Sequence, residues 1–353
     1  MNIVNNNPEY RLLSAKVPKK HGHPHNAAME PTLPTTSLSR ADLSASAIHA
    51  SARLPALLER LNQIILGKAD AVRDAVTCLL ANGHLLIEDM PGVGKTTLAH
   101  ALAQSMGLQF ARVQFTADLM PSDLTGVSIY ERNKEQFVFH PGPVFSQVLL
   151  ADEINRASPK VQSALLEAME ERQVSVEGKP HALPQPFFVI ATQNPLEQRG
   201  TQPLPESQLD RFLMRIRLGY PDRTAEHDLL TGMARHDLLQ TLQPVMQAAD
   251  LLQLQTQVQA IHASEALIRY LQDLLAATRS GQWFEQGLSP RAGVGILRAA
   301  KARALLAERA FVTPDDVQAI LPQTAAHRLT PVSHAGRGAL EQVRAMMAAV
   351  VLA

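Results

Sequence analysis

The chain is organised around the stretch Asp89-Met90-Pro91-Gly92-Val93-Gly94-Lys95-Thr96-Thr97. The mostly apolar residues 84–88 before it predict a buried strand, and leucines at four-residue spacing after it predict a helix. The two glycines allow backbone N–H groups to close around a phosphate, and the helix N-terminus adds a positive dipole. The stretch is therefore expected to be a phosphate-binding loop, and its nine residues, together with Asp152, are the predicted nucleotide-binding set.

Individual side chains of this loop divide the expected chemistry. Lys95 places a point charge beside the phosphates, and the hydroxyl of Thr96 is the expected ligand for Mg²⁺. One position departs from the usual P-loop pattern, which begins with glycine six residues before the lysine, because Asp89 stands there. That first glycine eases the exit from the strand without binding phosphate. ATP and Mg²⁺ are therefore the expected cofactors.

Composition limits the functional classes. The 353 residues carry 33 basic and 33 acidic side chains, so the formal net charge of zero provides no bulk field for nucleic acid or an anionic membrane. The single cysteine, Cys78, excludes an intramolecular disulfide and fits a reducing compartment. No apolar run is long enough to span a bilayer, and the polar N-terminus lacks a secretory signal. These observations predict a cytoplasmic protein without membrane insertion.

Three segments are predicted along the chain. Residues 1–50 are rich in proline and polar residues and are expected to form a disordered arm. Its histidines are interpreted as part of a solvated tail and not as a metal site. Residues 51–221 alternate buried strands with amphipathic helices, which predicts an α/β nucleotide-binding domain with a mostly parallel sheet. Two hairpins are expected within it, at residues 128–140 and 173–183. Residues 222–353 contain helix patterns alone and predict an all-helical domain.

Polar residues follow two of the predicted strands. Asp152 and Glu153 come after the apolar run 148–151, and Asn194 follows the strand at residues 187–191. In an open α/β sheet, ligands bind at the carboxyl ends of the strands, so these side chains are expected near the phosphate loop. Asp152 is predicted to hold Mg²⁺ through its water shell, Glu153 to orient the attacking water, and Asn194 to hold that water near the γ-phosphate.

Longer motifs carry a family resemblance. They are Leu150-Ala151-Asp152-Glu153-Ile154-Asn155-Arg156-Ala157, Pro159-Lys160-Val161-Gln162-Ser163-Ala164-Leu165-Leu166-Glu167-Ala168-Met169-Glu170-Glu171, Ala191-Thr192-Gln193-Asn194-Pro195, Leu204-Pro205-Glu206-Ser207-Gln208-Leu209-Asp210-Arg211-Phe212 and Ser289-Pro290-Arg291-Ala292. In sequence and in order, these motifs resemble the MoxR family of AAA+ ATPases. The resemblance implies an AAA+ P-loop domain followed by a helical lid domain, working as a homo-oligomeric ring that is most often a hexamer.

The resemblance also implies roles for individual residues. Asn194 corresponds to sensor 1, Arg211 to the arginine finger for a neighbouring subunit's γ-phosphate, and Arg291 to sensor 2, reaching down from the lid. From the residues alone, Arg211 has an alternative as the ion-pair partner of Asp210. Arg291 lies in the first turn of a predicted helix, where the dipole disfavours a cation, which indicates a nearby anion or a neighbouring glutamate. Arg156 is a further candidate for contact with a neighbour's nucleotide.

Members of the family are chaperone-like protein remodellers. The resemblance therefore implies ATP hydrolysis, a client protein and a partner with a von Willebrand factor A domain, and it places the two hairpins at the pore of the ring. Alternatives are a magnesium-chelatase-like motor subunit, a DNA-acting AAA+ motor and a nucleotide-gated scaffold with little turnover. The neutral net charge and the balanced charges of residues 128–140 argue against nucleic acid as a partner. The presence of Glu153 argues against the scaffold.

Overall fold

The computed structural model describes residues 50–195, 201–232, 238, 239, 241–332, 336 and 338–350. The predicted arm, residues 1–50, lies outside this part of the chain except for its last residue, which is buried. The described residues form a parallel sheet with packed helices, followed by a helical region, as the sequence predicts.

The sheet explains where the long apolar runs of the sequence lie. The strands of the described part are, in chain order, β1 Leu85–Glu88, β2 Phe110–Gln114, β3 Gly126–Glu131, β4 Gln136–Pro141, β5 Val148–Asp152, β6 Gln173–Val176, β7 Lys179–Ala182, β8 Phe188–Gln193 and β9 Met214–Ile216. Five of them form one parallel sheet in the order β2-β5-β8-β1-β9, which confirms the predicted fold class. The sequence did not predict β9, because three residues with an arginine in the middle are too short a pattern.

The carboxyl ends of the central strands meet at one edge of this sheet. Ile87 pairs with Thr192 in the register of β1 and β8, and Gln114 pairs with Asp152 in that of β2 and β5. β5 is buried along its whole length, as a central parallel strand covered on both faces must be. The residues that follow β1, β5 and β8 are therefore brought together at this carboxyl edge.

The sheet separates two buried cores, which the helices of the α/β part cover. These helices are α1 Leu54–Ile64, α2 Ala69–Leu80, α3 Lys95–Ser105, α4 Pro121–Thr125, α5 Pro159–Glu171 and α6 Glu206–Leu209. Leu85 and Ile87 belong to the core that contains α1, α2 and α3, whereas Leu86 belongs to the core that contains α5. Alternate residues of β1 thus face opposite sides of the sheet, as the two-residue period of a strand requires.

Two hairpins stand apart from the sheet. β3 pairs with β4 and β6 pairs with β7, both antiparallel, which confirms the hairpins predicted at residues 128–140 and 173–183. Gly126 closes the base of the first hairpin, where a Cβ would lie 2.2 Å from the carbonyl oxygen of His140. The hairpins contact each other through Phe139 and His181, whose stacked rings have centroids 4.1 Å apart.

After β9, the regular elements of the described chain are helices, apart from two isolated bridges. The helices are α7 Arg223–Thr231, α8 Ala248–Ala260, α9 Glu265–Arg279, α10 Pro290–Leu306, α11 Pro314–Ala325 and α12 Ala339–Ala349. α10 packs against α2, and α11 packs against β9, so this lid region shares the core of α1–α3. Among the described residues, no helix combines the length and the apolar character needed to cross a membrane.

Candidate active site

The loop between β1 and α3 has the backbone of a phosphate cradle. Gly92 and Gly94 hold φ angles of +83° and +97°, a region that glycine adopts without the steric penalty other residues meet. A Cβ built on either glycine meets no described atom within 4 Å, so the space beside the loop is open. α3 begins immediately after Gly94, at Lys95, and its first N–H groups lack partners within the helix. The loop can therefore receive an anion.

Lys95 is held across this loop. Its Nζ donates hydrogen bonds to the backbone oxygens of Asp89 and Met90, at 2.8 and 2.7 Å. Burial lowers the pKa of Lys95, and the carboxylates of Asp89, Asp152 and Glu153 oppose that shift. The ammonium group thus lies in the field of three acids, at the position where the sequence predicts the phosphates.

The side chain of Asp89 binds the protein itself. Its Oδ1 accepts the N–H of Met90 at 2.9 Å, and its Oδ2 accepts the N–H groups of Leu218 and Gly219 at 2.6 Å each. The residue is buried, with 7% of its surface exposed. Asp89 therefore joins the phosphate loop to the segment between β9 and α7, and any contact it makes with a nucleotide falls to its backbone.

Asp152 ends β5 as a buried carboxylate with a fixed orientation. Thr192 donates its hydroxyl to Oδ1 at 2.6 Å, and Arg112 donates from Nη2 to Oδ2 at 2.7 Å. The Thr192 oxygen also accepts the N–H of Glu153 at 2.8 Å, which joins the ends of β5 and β8. Thr192 and Arg112 therefore orient the carboxylate that the sequence assigns to Mg²⁺.

Glu153 has a backbone conformation that is uncommon for a residue with a side chain. Its φ of 57° and ψ of 49° lie in the left-handed region, which is often occupied at functional sites. Its Oε2 accepts a hydrogen bond from Nε2 of Gln114 at 2.8 Å and pairs with Nε of Arg156 at 2.9 Å. Asn194, buried and directly after β8, lies at the same edge of the sheet. The structure thus brings the predicted strand-end residues together.

The oxygen donors at this edge suit Mg²⁺ and a nucleotide. Thr96 lies in the first turn of α3 and Asp152 ends β5, and hydroxyl and carboxylate oxygens are the hard ligands that Mg²⁺ prefers. Among the described residues, no group of three or more His, Cys, Asp or Glu side chains is placed to hold a metal ion. Mg²⁺ often takes one or two protein ligands together with phosphate oxygens, which is what this edge offers.

Arg211 and Arg291 meet on a single carboxylate. Glu170 pairs with Nη2 of Arg211 at 2.9 Å and accepts a hydrogen bond from Nη1 of Arg291 at 2.7 Å. The hydrogen bond from Arg291 lowers the pKa of Glu170, and the charges of both arginines act in the same direction. Asp210 pairs with Arg328 instead, at 2.8 Å. For Arg291, the structure therefore shows a neighbouring glutamate, one of the two alternatives that its position left open. In the described part of the chain, Arg211 pairs with Glu170, and the alternative pair with Asp210 is not observed.

A cavity of about 450 Å³ surrounds these arginines. It is lined by Asn82, Gly83 and His84, which precede β1, whereas the phosphate loop follows β1. β1 has four residues, which is about 13 Å at the usual rise per residue. Arg211 and Arg291 therefore lie beyond the opposite end of the sheet from their own phosphate loop, and neither can reach an anion bound there.

Comparison with known proteins shows which family the chain resembles. Residues 84–214 match the ATPase family associated with various cellular activities (AAA), and residues 276–349 match the AAA lid domain. The chain is 41% identical to Chaperone MoxR1 of Mycobacterium tuberculosis over 278 residues, which are 76% of this chain and 73% of that protein. It belongs to the MoxR family of AAA+ ATPases.

Two further relatives of this MoxR-family chain extend the comparison. The uncharacterised protein YeaC of Bacillus subtilis is 48% identical over 272 residues, which are 77% of this chain and 85% of that protein. The crystal structure of a protein from Cytophaga hutchinsonii, described as an ATPase, superimposes with a TM-score of 0.80 at 33% identity. That match covers 88% of this chain and 98% of the other, so the α/β part and the lid helices share one arrangement in both.

In this MoxR-family chain, the lid holds the segment that carries Arg211. Arg328 donates from Nη2 to the carbonyl oxygens of Phe212 at 2.7 Å and Asp210 at 3.2 Å. Nε2 of the neighbouring His327 contacts the same Phe212 oxygen at 3.0 Å. The side chain of Arg328 is 7% exposed, so these bonds are shielded from water. The backbone on both sides of Arg211 is therefore fixed by residues that directly follow α11.

Four of the residues that shape the site were not predicted from the sequence: Arg112, Glu170, Thr192 and Arg328. Arg112 carried a signal, because a charged residue inside a strand pattern requires a partner when the strand is covered. Glu170 and Arg328 carried none that is local, since their partners come from distant parts of the chain, 121 residues apart for Arg291 with Glu170.

Proposed function

We propose that this chain hydrolyses ATP at sites shared by neighbouring subunits of a ring and uses that turnover to remodel a partner protein. One observation carries the proposal: the two halves of the predicted site lie at opposite ends of β1 in a single chain. The phosphate loop and the strand-end acids lie at the carboxyl edge, whereas Arg211 and Arg291 lie beyond the amino end. A second copy that turns its arginines towards the first copy's phosphate loop would complete the site.

Residues at the carboxyl edge divide binding and hydrolysis between them. Lys95 and the loop N–H groups bind the phosphates, and Thr96 and Asp152 hold Mg²⁺. Bound ATP with Mg²⁺ supplies the phosphoanhydride that is cleaved and part of the charge neutralisation. Glu153 orients and polarises the attacking water, and Asn194 holds that water near the γ-phosphate.

The contacts of Glu153 support its role towards water. Gln114 and Arg156 both act on Oε2, so within the described residues Oε1 keeps its capacity to accept a hydrogen bond. The left-handed backbone of Glu153 is held by its own N–H, which donates to Thr192. Arg156 pairs with Glu153 at the carboxyl edge and does not line the cavity that holds Arg211 and Arg291. This location argues against its contact with a neighbour's nucleotide.

The proposed partners rest on the family and on one exposed surface. From the resemblance we propose a hexameric ring in the cytoplasm, a client protein and a partner with a von Willebrand factor A domain. The relative from Mycobacterium tuberculosis is named a chaperone, which supports a remodelling role. On the β3–β4 hairpin, Tyr130 and Phe137 are 50% and 68% exposed, with ring centroids 5.4 Å apart. Such an exposed aromatic pair supports contact of this hairpin with a client.

The test of the shared site mixes two variants that are each inactive. Lys95→Ala removes the phosphate contact, and Arg211→Ala removes the finger, which is worth roughly 10³-fold or more in rate. In mixed rings, the intact Arg211 of a Lys95→Ala subunit meets the intact phosphate loop of an Arg211→Ala subunit. ATPase activity is therefore expected to return in the mixture although neither parent has any.

A labelled-subunit assay shows whether the subunits of the two variants exchange. Mixing two differently labelled Lys95→Ala preparations is the matched control, because exchange there creates no complete site. If subunits exchange and the mixture of Lys95→Ala with Arg211→Ala stays inactive, the shared site is wrong. Co-purification from the native cell extract tests the partner separately, and recovery of no protein with a von Willebrand factor A domain would argue against that part of the proposal.

A further inference from the structure

The cavity around Arg211 and Arg291 carries an excess of positive charge. Its described lining contains five arginines and two carboxylates. One carboxylate, Asp210, is paired with Arg328, and the other, Glu170, is shared between Arg211 and Arg291. The two acids of the cavity therefore pair with three of its five arginines. The other two arginines have no carboxylate partner in the cavity.

Arg172 is one of these two, and it is satisfied by neutral groups. Its guanidinium donates to the carbonyl oxygen of Phe187 at 2.5 Å and to Oδ1 of Asn82 at 3.1 Å. His84, which also lines the cavity, adds no charge, because burial lowers its pKa to about 3. These groups therefore make no demand for an additional ligand.

Arg298 differs from the other arginines of the cavity. It lies on α10 seven residues after Arg291, on the same face of the helix, and is half-buried. Among the described residues, its guanidinium has neither a hydrogen-bond nor an ion-pair partner, and its Nε is buried. Burial lowers the pKa of Arg298, because the charged form loses hydration there. A partly desolvated cation without a partner is unfavourable unless an anion reaches it.

We propose that Arg298 is a third phosphate-binding arginine of this cavity and that it contacts the terminal phosphates of the nucleotide held by the neighbouring subunit. The inference rests on the proposed function. The cavity contains one carboxylate, Glu170, for the three arginines Arg211, Arg291 and Arg298. Together these four side chains carry two formal positive charges. A terminal phosphate group carries a charge of about −2, which neutralises them. One guanidinium group can also donate two parallel hydrogen bonds to phosphate oxygens, which fixes the orientation of the contact.

Anion binding tests the cavity without any need for hydrolysis. The experiment uses full-length protein in the Lys95→Ala background, so that the phosphate loop does not compete, and titrates inorganic triphosphate by calorimetry. Adding Arg298→Gln is expected to weaken triphosphate binding by roughly ten- to a hundred-fold, the effect of one lost charge-assisted hydrogen bond. The matched control is Lys301→Gln, which removes a cation from the same helix. Unlike Arg298, Lys301 has a partner among the described residues, because its Nζ donates to the carbonyl oxygen of Gln259. That control is expected to leave the affinity unchanged.

Stability separates a ligand-binding arginine from a structural one. Because Arg298 has no partner among the described residues, Arg298→Gln is expected to leave the thermal midpoint unchanged or to raise it. Arg298→Lys, which keeps the charge without the planar fork, is expected to recover part of the triphosphate affinity. A lowered midpoint together with weaker binding would assign Arg298 a structural role and overturn the proposal. Equal triphosphate affinity with and without Arg298→Gln, or no binding in the Lys95→Ala background, would overturn it as well.

The ATPase rate then tests whether Arg298 acts on the nucleotide of a neighbouring subunit. Arg298→Gln in the otherwise native chain is expected to lower the ATPase rate by about 10²-fold, as for removal of one donor to a developing anion. Mixing it with Lys95→Ala subunits should restore activity, because those subunits supply an intact Arg298. A native chain without ATPase activity would refute the proposed function, while the triphosphate titration would still decide whether Arg298 binds an anion. A normal rate in the Arg298→Gln protein would refute the role of Arg298 alone.

Discussion

Replacing Asp89 by glycine restores the residue that usually begins a P-loop, and we predict that it weakens this protein. The carboxylate of Asp89 accepts three backbone N–H groups and joins the phosphate loop to the segment before α7. Glycine can form none of these bonds. A change towards the common pattern should therefore loosen the loop that the pattern describes.

The size of the effect follows from what each N–H group does afterwards. A hydrogen bond to a charged group contributes roughly 1.5–3 kcal/mol. The N–H of Leu218 belongs to a buried residue and is left without a partner, whereas Met90 and Gly219 are half-buried and their N–H groups can reach water. We therefore expect the free energy of unfolding to fall by about 3 kcal/mol rather than by the sum of three bonds.

Urea unfolding followed by circular dichroism measures this loss, and equilibrium titration with a fluorescent ATP analogue measures the effect on the loop. Asp89→Asn is the graded control, because its amide oxygen can still accept from Leu218 or Gly219, and about half of the loss is expected. Lys95→Ala is the opposite control, since it should lose nucleotide binding with a smaller change in unfolding. An unfolding free energy of Asp89→Gly equal to that of the native chain would refute the reasoning.

Three other predictions concern separate parts of the chain. Glu153→Gln should keep ATP binding and stop hydrolysis, measured by nucleotide titration and phosphate release, and near-normal turnover would contradict the assignment. Removal of residues 1–45 should leave the thermal midpoint and the ATPase rate nearly unchanged, since the composition of the arm cannot bury a core; a large drop in either would show that the arm docks. Burial raises the pKa of Asp74 to about 6 from 3.8, so the native state binds the proton more tightly than the unfolded state. The stability from this group is full below pH 4 and is lost as the pH rises through 6. Asp74→Asn should therefore remove this fall of stability with pH and should be more stable than the native chain at pH 7 by up to roughly 3 kcal/mol. Urea unfolding of both proteins at pH 4.5 and 7 measures the difference. An equal change of stability with pH in the two proteins would contradict the prediction.

The carboxyl edge of the sheet could be predicted because its logic is local. The strands β1, β5 and β8 each read as a buried apolar run, and polar residues or the phosphate loop follow each run directly. Because the strands are parallel, these following residues meet at one edge of the sheet. β9 escaped prediction because Met214–Ile216 is short and carries Arg215, which is neutralised by Glu88 at 3.3 Å in the folded chain.

The arginine cavity could not be predicted as a unit, because its members are joined by tertiary contacts alone. Glu170 comes from α5, Arg211 from the segment before β9 and Arg291 from the lid, and the sequence contains no periodicity that relates them. The resemblance supplied roles for Arg211 and Arg291 separately, whereas the structure shows that one carboxylate holds both.

In the proposed ring, the same contacts would connect the lid to the site of the neighbouring subunit. Arg328 and His327, which directly follow α11, hold the backbone on both sides of Arg211. Glu170 holds Arg211 to Arg291 of α10. A displacement of the lid helices therefore cannot leave Arg211 in place, because bonds on both sides of it would have to break. Arg211 lies beyond the end of β1 that is opposite to its own phosphate loop, so in the proposed ring such a displacement would act on the site of the next subunit rather than on that of its own.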